Sequence, residues 1–328
     1  VRRTRPQERR CSYVVTLDRG SSSLDDLRSL SEYLSFLGVA HCDVVVLDTS
    51  PRFFFEQHRR VLRWVGRHYG PAPEHRTLGG ALDIVRAAAE VAACEKVIVA
   101  GAAVRYTAAE IGQLCDLLEK HEVVEPQDYL HPLPWWGAIE AGRMLIHRGI
   151  EPHPDHGATY GFRRTIVRGM RGLEIAEGDD QVRRLAAIGL EVHPAYDVFV
   201  KRCPPDFSDW LHERPRHAED DFALPLKSSI FFAIAPVAML LALFGGMSLV
   251  GVYAGAIACA AMLLALRGRS GASHFFPLQA VACAPLWVAE RSISVYWALY
   301  LKVRGDDGDG ERVAVQAGAS GEKVATGA

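Results

Sequence analysis

Val44-Val45-Val46-Leu47-Asp48-Thr49-Ser50-Pro51 is the stretch whose reading decides the fold. Four consecutive apolar residues, three of them β-branched, suit a strand buried on both faces, as in a parallel sheet. The run stops abruptly at a carboxylate followed by turn residues. Lys96-Val97-Ile98-Val99-Ala100 repeats the pattern, and Tyr13-Val14-Val15-Thr16-Leu17 is a shorter version of it. Between these runs the periodicity changes. Leu24, Leu27, Leu30, Leu34 and Leu37 recur at steps of three and four, which is one face of a helix, and Ser23 with Asp26 fits a capping box. A helix is expected over Phe53–Tyr69, another over Leu82–Cys94, and a third from the Thr107/Glu110 cap to about Lys120. Alternating strand and helix predicts an α/β layer with a mostly parallel sheet and flanking helices.

Further on, Val123-Val124 begins an extended piece that should end at Pro126. A helix is expected over Trp136–Arg148, another over Val182–Ile188, and a short extended piece over Leu190–Val192, ended by His193-Pro194. His153-Pro154-Asp155-His156 has metal-ligand residue types, but a proline-containing loop gives no helical spacing, so a surface turn is expected. Gly79-Gly80 reads as a tight turn, and Trp135-Trp136 suits either a core or a ligand wall.

The charge distribution is uneven. The 328 residues carry 37 Lys+Arg against 39 Asp+Glu, a formal net charge of −2, which argues against a dedicated nucleic-acid binder. Yet no charged residue or histidine occurs between Ser228 and Leu266. A helical crossing needs about 20 apolar residues, so two crossings are expected, about Ser229–Phe244 and Ser248–Leu266, with Gly245-Gly246 as the turn. Arg267 and Arg269 mark the cytoplasmic side. A two-helix hairpin returns to the side it left, so the preceding domain is expected in the cytoplasm. Phe275–Leu301 is a third apolar stretch, interrupted by Glu290-Arg291, and reads as an interfacial helix or a third crossing. The expected organisation is a basic tail over 1–12, an α/β domain over 13–225, a membrane anchor over 226–304 and a disordered tail over 305–328. The tail is either solvated or drawn to anionic lipid, and no apolar stretch follows it as in a secretory signal. The seven cysteines are scattered with no C-x-x-C, which suits reduced, mostly buried thiols.

In a parallel α/β sheet, ligands bind outside the carboxyl ends of strands. Asp48 closes one strand and Gly101-Ala102-Ala103 follows another. On residues alone Asp48 is either a ligand carboxylate or a turn residue before Pro51.

Several segments, in order, resemble the family-2 glycosyltransferases of the GT-A fold, and more narrowly their bacterial membrane-anchored members. They are Val44–Pro51, Val104-Arg105-Tyr106-Thr107, Pro126-Gln127-Asp128-Tyr129-Leu130-His131-Pro132-Leu133-Pro134-Trp135, Thr159-Tyr160-Gly161-Phe162-Arg163-Arg164, Glu177-Gly178-Asp179-Asp180-Gln181-Val182-Arg183, Phe199–Pro205 and Trp210–Phe222. The resemblance spans Tyr13 to Arg304. It implies a GT-A-like domain followed by transmembrane helices, a nucleotide-diphosphosugar donor, and a membrane lipid or lipid-linked acceptor. In that family an Asp at the Asp48 position contacts the base, and a D-x-D motif after the next strand holds a metal on the diphosphate. A later acidic motif supplies the general base, and a Q-x-x-R-W-like helix contacts the diphosphate.

The sequence departs from this pattern. Gly101-Ala102-Ala103 stands at the D-x-D position and offers no side-chain oxygen to a hard cation. Glu177 and Asp180 keep the outer acidic positions, but Gly178 stands where the base is usual, with Asp179 beside it. His212-Glu213-Arg214-Pro215-Arg216-His217 keeps cations without the Gln or the Arg-Trp pair. Two readings follow. Either Arg105, Arg163, Arg164, Arg214 and Arg216 hold the phosphates without a metal, or the domain is an inactive scaffold in a membrane glycan-assembly system.

Overall fold

The computed structural model describes residues 10–17, 24–70, 84–150, 158–169, 182, 185–186, 188–212, 214 and 225–304. It divides into two compact units. The first comprises Val1–Pro205 with Leu264–Val281, and the second Asp206–Leu263 with Ala282–Ala328. The expected 305–328 tail, and all but the last three residues of the expected 1–12 tail, lie outside the described residues.

The first unit is built on one sheet. Its strands are β1 (Cys11–Leu17), β2 (Cys42–Asp48), β3 (Arg67–Tyr69), β4 (Lys96–Gly101), β5 (Val104–Arg105), β6 (Val123–Leu130), β7 (Thr159–Arg163) and β8 (Val192–Arg202). Their order is β3-β2-β1-β4-β7-β6-β8-β5. β1, β2, β3 and β4 are mutually parallel, β7 runs antiparallel between β4 and β6, and β8 is parallel to β6. The helices of this unit are α1 (Leu24–Val39), α2 (Arg52–Leu62), α3 (Ile84–Val91), α4 (Ala108–Leu117), α5 (Trp135–Ile150) and α6 (Arg164–Gly169).

The apolar strands are buried on both faces. Tyr13, Val15, Val44, Val46, Ile98 and Ala100 pack with Leu30, Leu34 and Leu37 of α1 and with Ile111 and Leu114 of α4. The alternate residues Val14, Val45, Leu47, Val97 and Val99 pack with Val85, Ala87, Ala88 and Ala89 of α3. Apolar area on both faces drives this sandwiching, at about 25 cal/mol per Å² removed from water. The expected cap of α4 is present. Thr107 Oγ1 accepts from the Glu110 N–H at 3.3 Å, and the Glu110 carboxylate accepts from the Thr107 N–H at 2.8 Å.

Six elements differ from the sequence expectation. β1 begins at Cys11, inside the stretch read as a tail. The helix expected to Tyr69 ends at Leu62, and Arg67–Tyr69 is instead a strand on β2. Gly66 permits this, because a Cβ there would lie 2.7 Å from the Val44 carbonyl oxygen. β6 and β8 run on past Pro126 and Pro194. Those prolines lie in facing registers, Glu125 opposite Pro194 and Pro126 opposite Ala195, just before a shift at Pro126/Gln127. A proline has no N–H to give the ladder, so strands carry it at such irregular points. The antiparallel β7 was not legible as a strand.

The remaining helices are α7 (Phe207–His212), α8 (Pro225–Arg269) and α9 (Leu278–Arg304). Among the described residues one helical stretch, Ser228–Arg269, is long and apolar enough to cross a membrane, where the sequence led us to expect two separate helices. Little of it is buried, unlike the core helix of a soluble protein. Its backbone leaves the helical region at Gly246 (φ 73°, ψ 178°), the place where the turn was expected. In the second unit the first half of α8 packs on α9. Phe231 meets Trp287 edge-on at 5.5 Å, and the Tyr296 hydroxyl donates to the Phe232 carbonyl at 2.6 Å. Arg291 is buried on that α9 face with Trp287 and Val295, while Leu286, Ile293 and Trp297 are exposed.

Candidate functional site

The chain runs β1, β2, β3 to one side of the sheet and then returns to place β4 on the other side of β1. The order therefore reverses between β1 and β4, and open α/β sheets bind ligands outside the carboxyl ends at such a reversal. Here that crevice is bordered by Leu17 of β1, Asp48 of β2 and Gly101 of β4, since Thr16 is level with Gly101 and Leu17 with Asp48.

The β4–β5 turn, Gly101-Ala102-Ala103, forms one wall. It is pinned at both ends: the Gly101 N–H donates to the Ala158 carbonyl at 2.9 Å, and the Cys203 N–H to the Ala103 carbonyl at 2.8 Å. Arg105 folds back over this turn. Its guanidinium donates to the Ala102 carbonyl, and to the Val104 carbonyl at 2.9 Å. The same guanidinium lies 4.8 Å from the Tyr33 ring centre. Tyr33 is held in turn, since its hydroxyl donates to Tyr13 Oη at 3.2 Å and accepts the Tyr106 N–H at 2.8 Å. Burial pushes the Tyr33 hydroxyl up to about 12, despite these hydrogen bonds and the Arg105 charge. A neutral phenol face is thus offered to the guanidinium, a cation–π arrangement. The turn presents backbone carbonyls and one cation, with no carboxylate. Without a carboxylate the turn is a poor fit for a hard divalent metal, since the Ala102 and Ala103 carbonyls it offers already accept hydrogen bonds.

Asp48 is fully buried, at 1% exposure, and its carboxylate is engaged within the chain. Oδ1 accepts the Ser50 N–H at 3.0 Å; Oδ2 lies 2.9 Å from His58 Nδ1 and 3.0 Å from His68 Nε2. Burial alone would raise its pKa, but the hydrogen bonds from His68, Ser50 and His58 prevail and hold it at about 2. An ionised carboxylate only accepts, so both imidazoles donate to it. Asp48 thus ties β2 to α2 and β3, and its Ser50 bond is the local turn that was one of its two sequence readings.

The structure does not bring Arg163 and Arg164 to this crevice. β7 is antiparallel to β4, so Arg163 is level with Lys96 at the opposite end of the strand from Gly101. Five residue steps put those ends roughly 17 Å apart. Arg164 is bonded there to the Ala92 carbonyl at 2.7 Å. Arg214 belongs to the second unit, where its guanidinium lies 4.6 Å from the Trp210 ring and 4.0 Å from the Glu290 carboxylate. Glu177, Asp179 and Asp180, with Arg216, His153, His156 and Gly79-Gly80, lie outside the described residues.

Other features lie towards the carboxyl ends. Trp135 opens α5 after β6 and is 59% exposed, while Trp136 Nε1 donates to the Pro205 carbonyl at 3.2 Å. Asp128 on β6 is buried and pairs with Arg202 of β8 at 2.9 Å. Phe275 stacks on Phe199 at 4.1 Å, and the Arg148 guanidinium lies 5.3 Å from the same Phe199 ring. Sequence reading missed His58, His68 and the Tyr13–Tyr33–Tyr106 brace. Their only sequence signal was their residue type, because each partner lies 10 or more positions away.

No protein-family model and no curated protein matches the sequence. Solved structures do overlay on it. One is a mannosyltransferase from Pyrobaculum calidifontis in complex with GDP-Man and Mn2+, at 13% identity, 88% of this chain, 87% of that chain and a TM-score of 0.47. Another is glucosyl-3-phosphoglycerate synthase from Mycobacterium tuberculosis, at 12% identity, 61% of this chain, 75% of that chain and a TM-score of 0.40. A mycobacterial protein overlays at 14% identity, 63% and 73% coverage and a TM-score of 0.38.

Proposed function

We propose that this chain is a membrane-anchored glycosyltransferase of the GT-A, family-2 type that transfers a sugar from a nucleotide-diphosphosugar without a divalent metal. The observation that carries the reading is Arg105 on the β4–β5 turn, at the reversal of strand order. The leaving diphosphate gains negative charge in the transition state, and something cationic must stabilise it there. Arg105 is the cation whose guanidinium folds over that turn, and a guanidinium binds phosphate oxygens bidentately. Tyr33 presents it by stacking.

The acceptor hydroxyl needs a base to take its proton. That base is assigned to the Glu177-Gly178-Asp179-Asp180 segment, with Asp179 first. Trp135, exposed beyond the end of β6, is assigned to the acceptor or sugar wall. The acceptor is a lipid or lipid-linked molecule, because α8 is apolar and exposed over a membrane-spanning length. The reading has α8 crossing twice with its break at Gly246, α9 at the interface, and the catalytic domain on the cytoplasmic side of Arg267 and Arg269.

Calorimetry of the detergent-purified protein with UDP-, GDP- and TDP-sugars tests this, each with Mg²⁺, Mn²⁺ or chelator. One donor should bind equally well with chelator. No binding to any donor by a folded protein would favour the second reading, a scaffold of this fold that lost transfer activity with its D-x-D carboxylates.

A further inference from the structure

Three thiols meet at the amino end of the sheet, away from the crevice. Cys11 opens β1 and Cys42 opens β2, and they are register partners. Their Sγ atoms are 3.7 Å apart. Cys115 of α4 belongs to the same buried cluster and hydrogen-bonds Cys11. Cys11 has no exposure. Cys42 instead lines a cleft of about 320 Å³ with Gly38, His41, Asp43, Gly66 and Arg67. A water molecule takes about 30 Å³, so a small peroxide fits there.

We propose that Cys42 is a peroxide-oxidised cysteine and that Cys11 resolves it, closing a disulfide between β1 and β2. In the first step the Cys42 thiolate attacks one oxygen of hydrogen peroxide. The O–O bond breaks, the other oxygen leaves with a proton as water, and Cys42 becomes a sulfenic acid. In the second step the Cys11 sulfur attacks the Cys42 sulfur, the S–O bond breaks, and the hydroxyl leaves with the Cys11 proton as a second water. Two thiols and one peroxide yield one disulfide and two waters. The two electrons come from the sulfurs, and a low-molecular-weight thiol returns them.

The division of labour follows from the surroundings. The hydrogen bond from Cys11 lowers the Cys42 pKa against burial, with the nearby Arg10 charge adding to it, and lowers that of Cys115 in the same way, so the cleft decides between them. Hydrogen bonds to Cys115 and Cys42 push the Cys11 thiol up, so its proton leaves only as its sulfur attacks. The thiolate is the reactive form, and of the two cysteines Cys42, at 6% exposure, is the one that borders the cleft, while Cys11 has none. Neighbouring strands are about 4.7–4.9 Å apart, within the roughly 4.4–6.8 Å Cα separation a disulfide spans.

The full chain in detergent would be treated with a slight excess of hydrogen peroxide, alkylated, and digested without reductant. Mass spectrometry should find a Cys11–Cys42 linked peptide that a reducing agent removes. In Cys11→Ser, dimedone should label Cys42 and the linked peptide should be absent. The wild-type digest decides the question even if that variant does not fold. Cys42 recovered as the alkylated free thiol, or joined mainly to Cys115, overturns the proposal.

Discussion

The guanidinium of Arg105 donates to the carbonyl of Ala102, three residues back, and thereby closes a positive charge over the turn that ends β4. Position 101 in that turn has room for a side chain, since a Cβ there would meet only the Ala158 carbonyl oxygen, at 3.7 Å. Gly101→Asp should therefore fold with an unchanged thermal midpoint. Its carboxylate would pair with Arg105 and compete with the donor diphosphate. Chelator-insensitive donor binding should weaken about tenfold, the equivalent of about 1.4 kcal/mol. Unchanged affinity by calorimetry would separate Arg105 from the donor.

Asp48 sets an acid limit on stability. Its carboxyl titrates at about 2 in the fold against an ordinary 3.8. A depressed carboxyl stabilises the fold above its unfolded pKa, and that contribution is lost as pH falls through the folded value. The loss should run from about pH 4 to pH 2 and amount to about 2 kcal/mol. Thermal midpoints measured in detergent across this range should fall more steeply for the wild type than for Asp48→Asn. Parallel curves would mean that the His58 and His68 bonds do not hold the carboxylate in solution.

The strand pattern was legible in the sequence because burial on both faces writes a continuous apolar run, as in Val44–Leu47 and Lys96–Ala100. β3 and β7 were not. β3 is three residues long and polar, and β7 is Thr-Tyr-Gly-Phe-Arg, with no apolar run. The candidate site was legible to the level of the turn after β4, because a strand end is local. Which arginine reaches that turn was not, because it depends on strand direction. Arg163 and Arg105 look alike in sequence, and only the antiparallel pairing of β7 puts Arg163 at the far end of β4.

Within the first unit, α5 and the end of α8 are in backbone contact through two glycines. A Cβ on Gly149 would lie 2.3 Å from the Leu264 carbonyl oxygen, and one on Gly268 would lie 1.9 Å from that of Leu145. Neither backbone can yield without the helices separating. Gly268→Ala should lower stability by about 1–3 kcal/mol, the usual cost of overpacking, seen as a lower thermal midpoint in detergent. A midpoint unchanged from wild type would mean that the two helices are not in contact there.

The break at Gly246 predicts where water meets α8. If α8 crosses twice, Phe244 and Met247 flank the tip of the hairpin. In a variant free of native cysteines, Met247→Cys should react with an impermeant maleimide applied outside intact cells, and Arg269→Cys should not. The reverse pattern, or reaction of neither, would contradict a double crossing.

The most direct test compares donor affinity, by calorimetry with chelator present, for the wild type, Arg105→Ala and Arg163→Ala. A charge-assisted phosphate contact is worth about 1.5–3 kcal/mol. Arg105→Ala should therefore bind the donor about 10- to 150-fold more weakly. Arg163→Ala should bind like the wild type, because its side chain starts at the other end of β4. Equal affinity of Arg105→Ala and wild type, or a loss confined to Arg163→Ala, would contradict the assignment of Arg105 to the place a metal would otherwise hold.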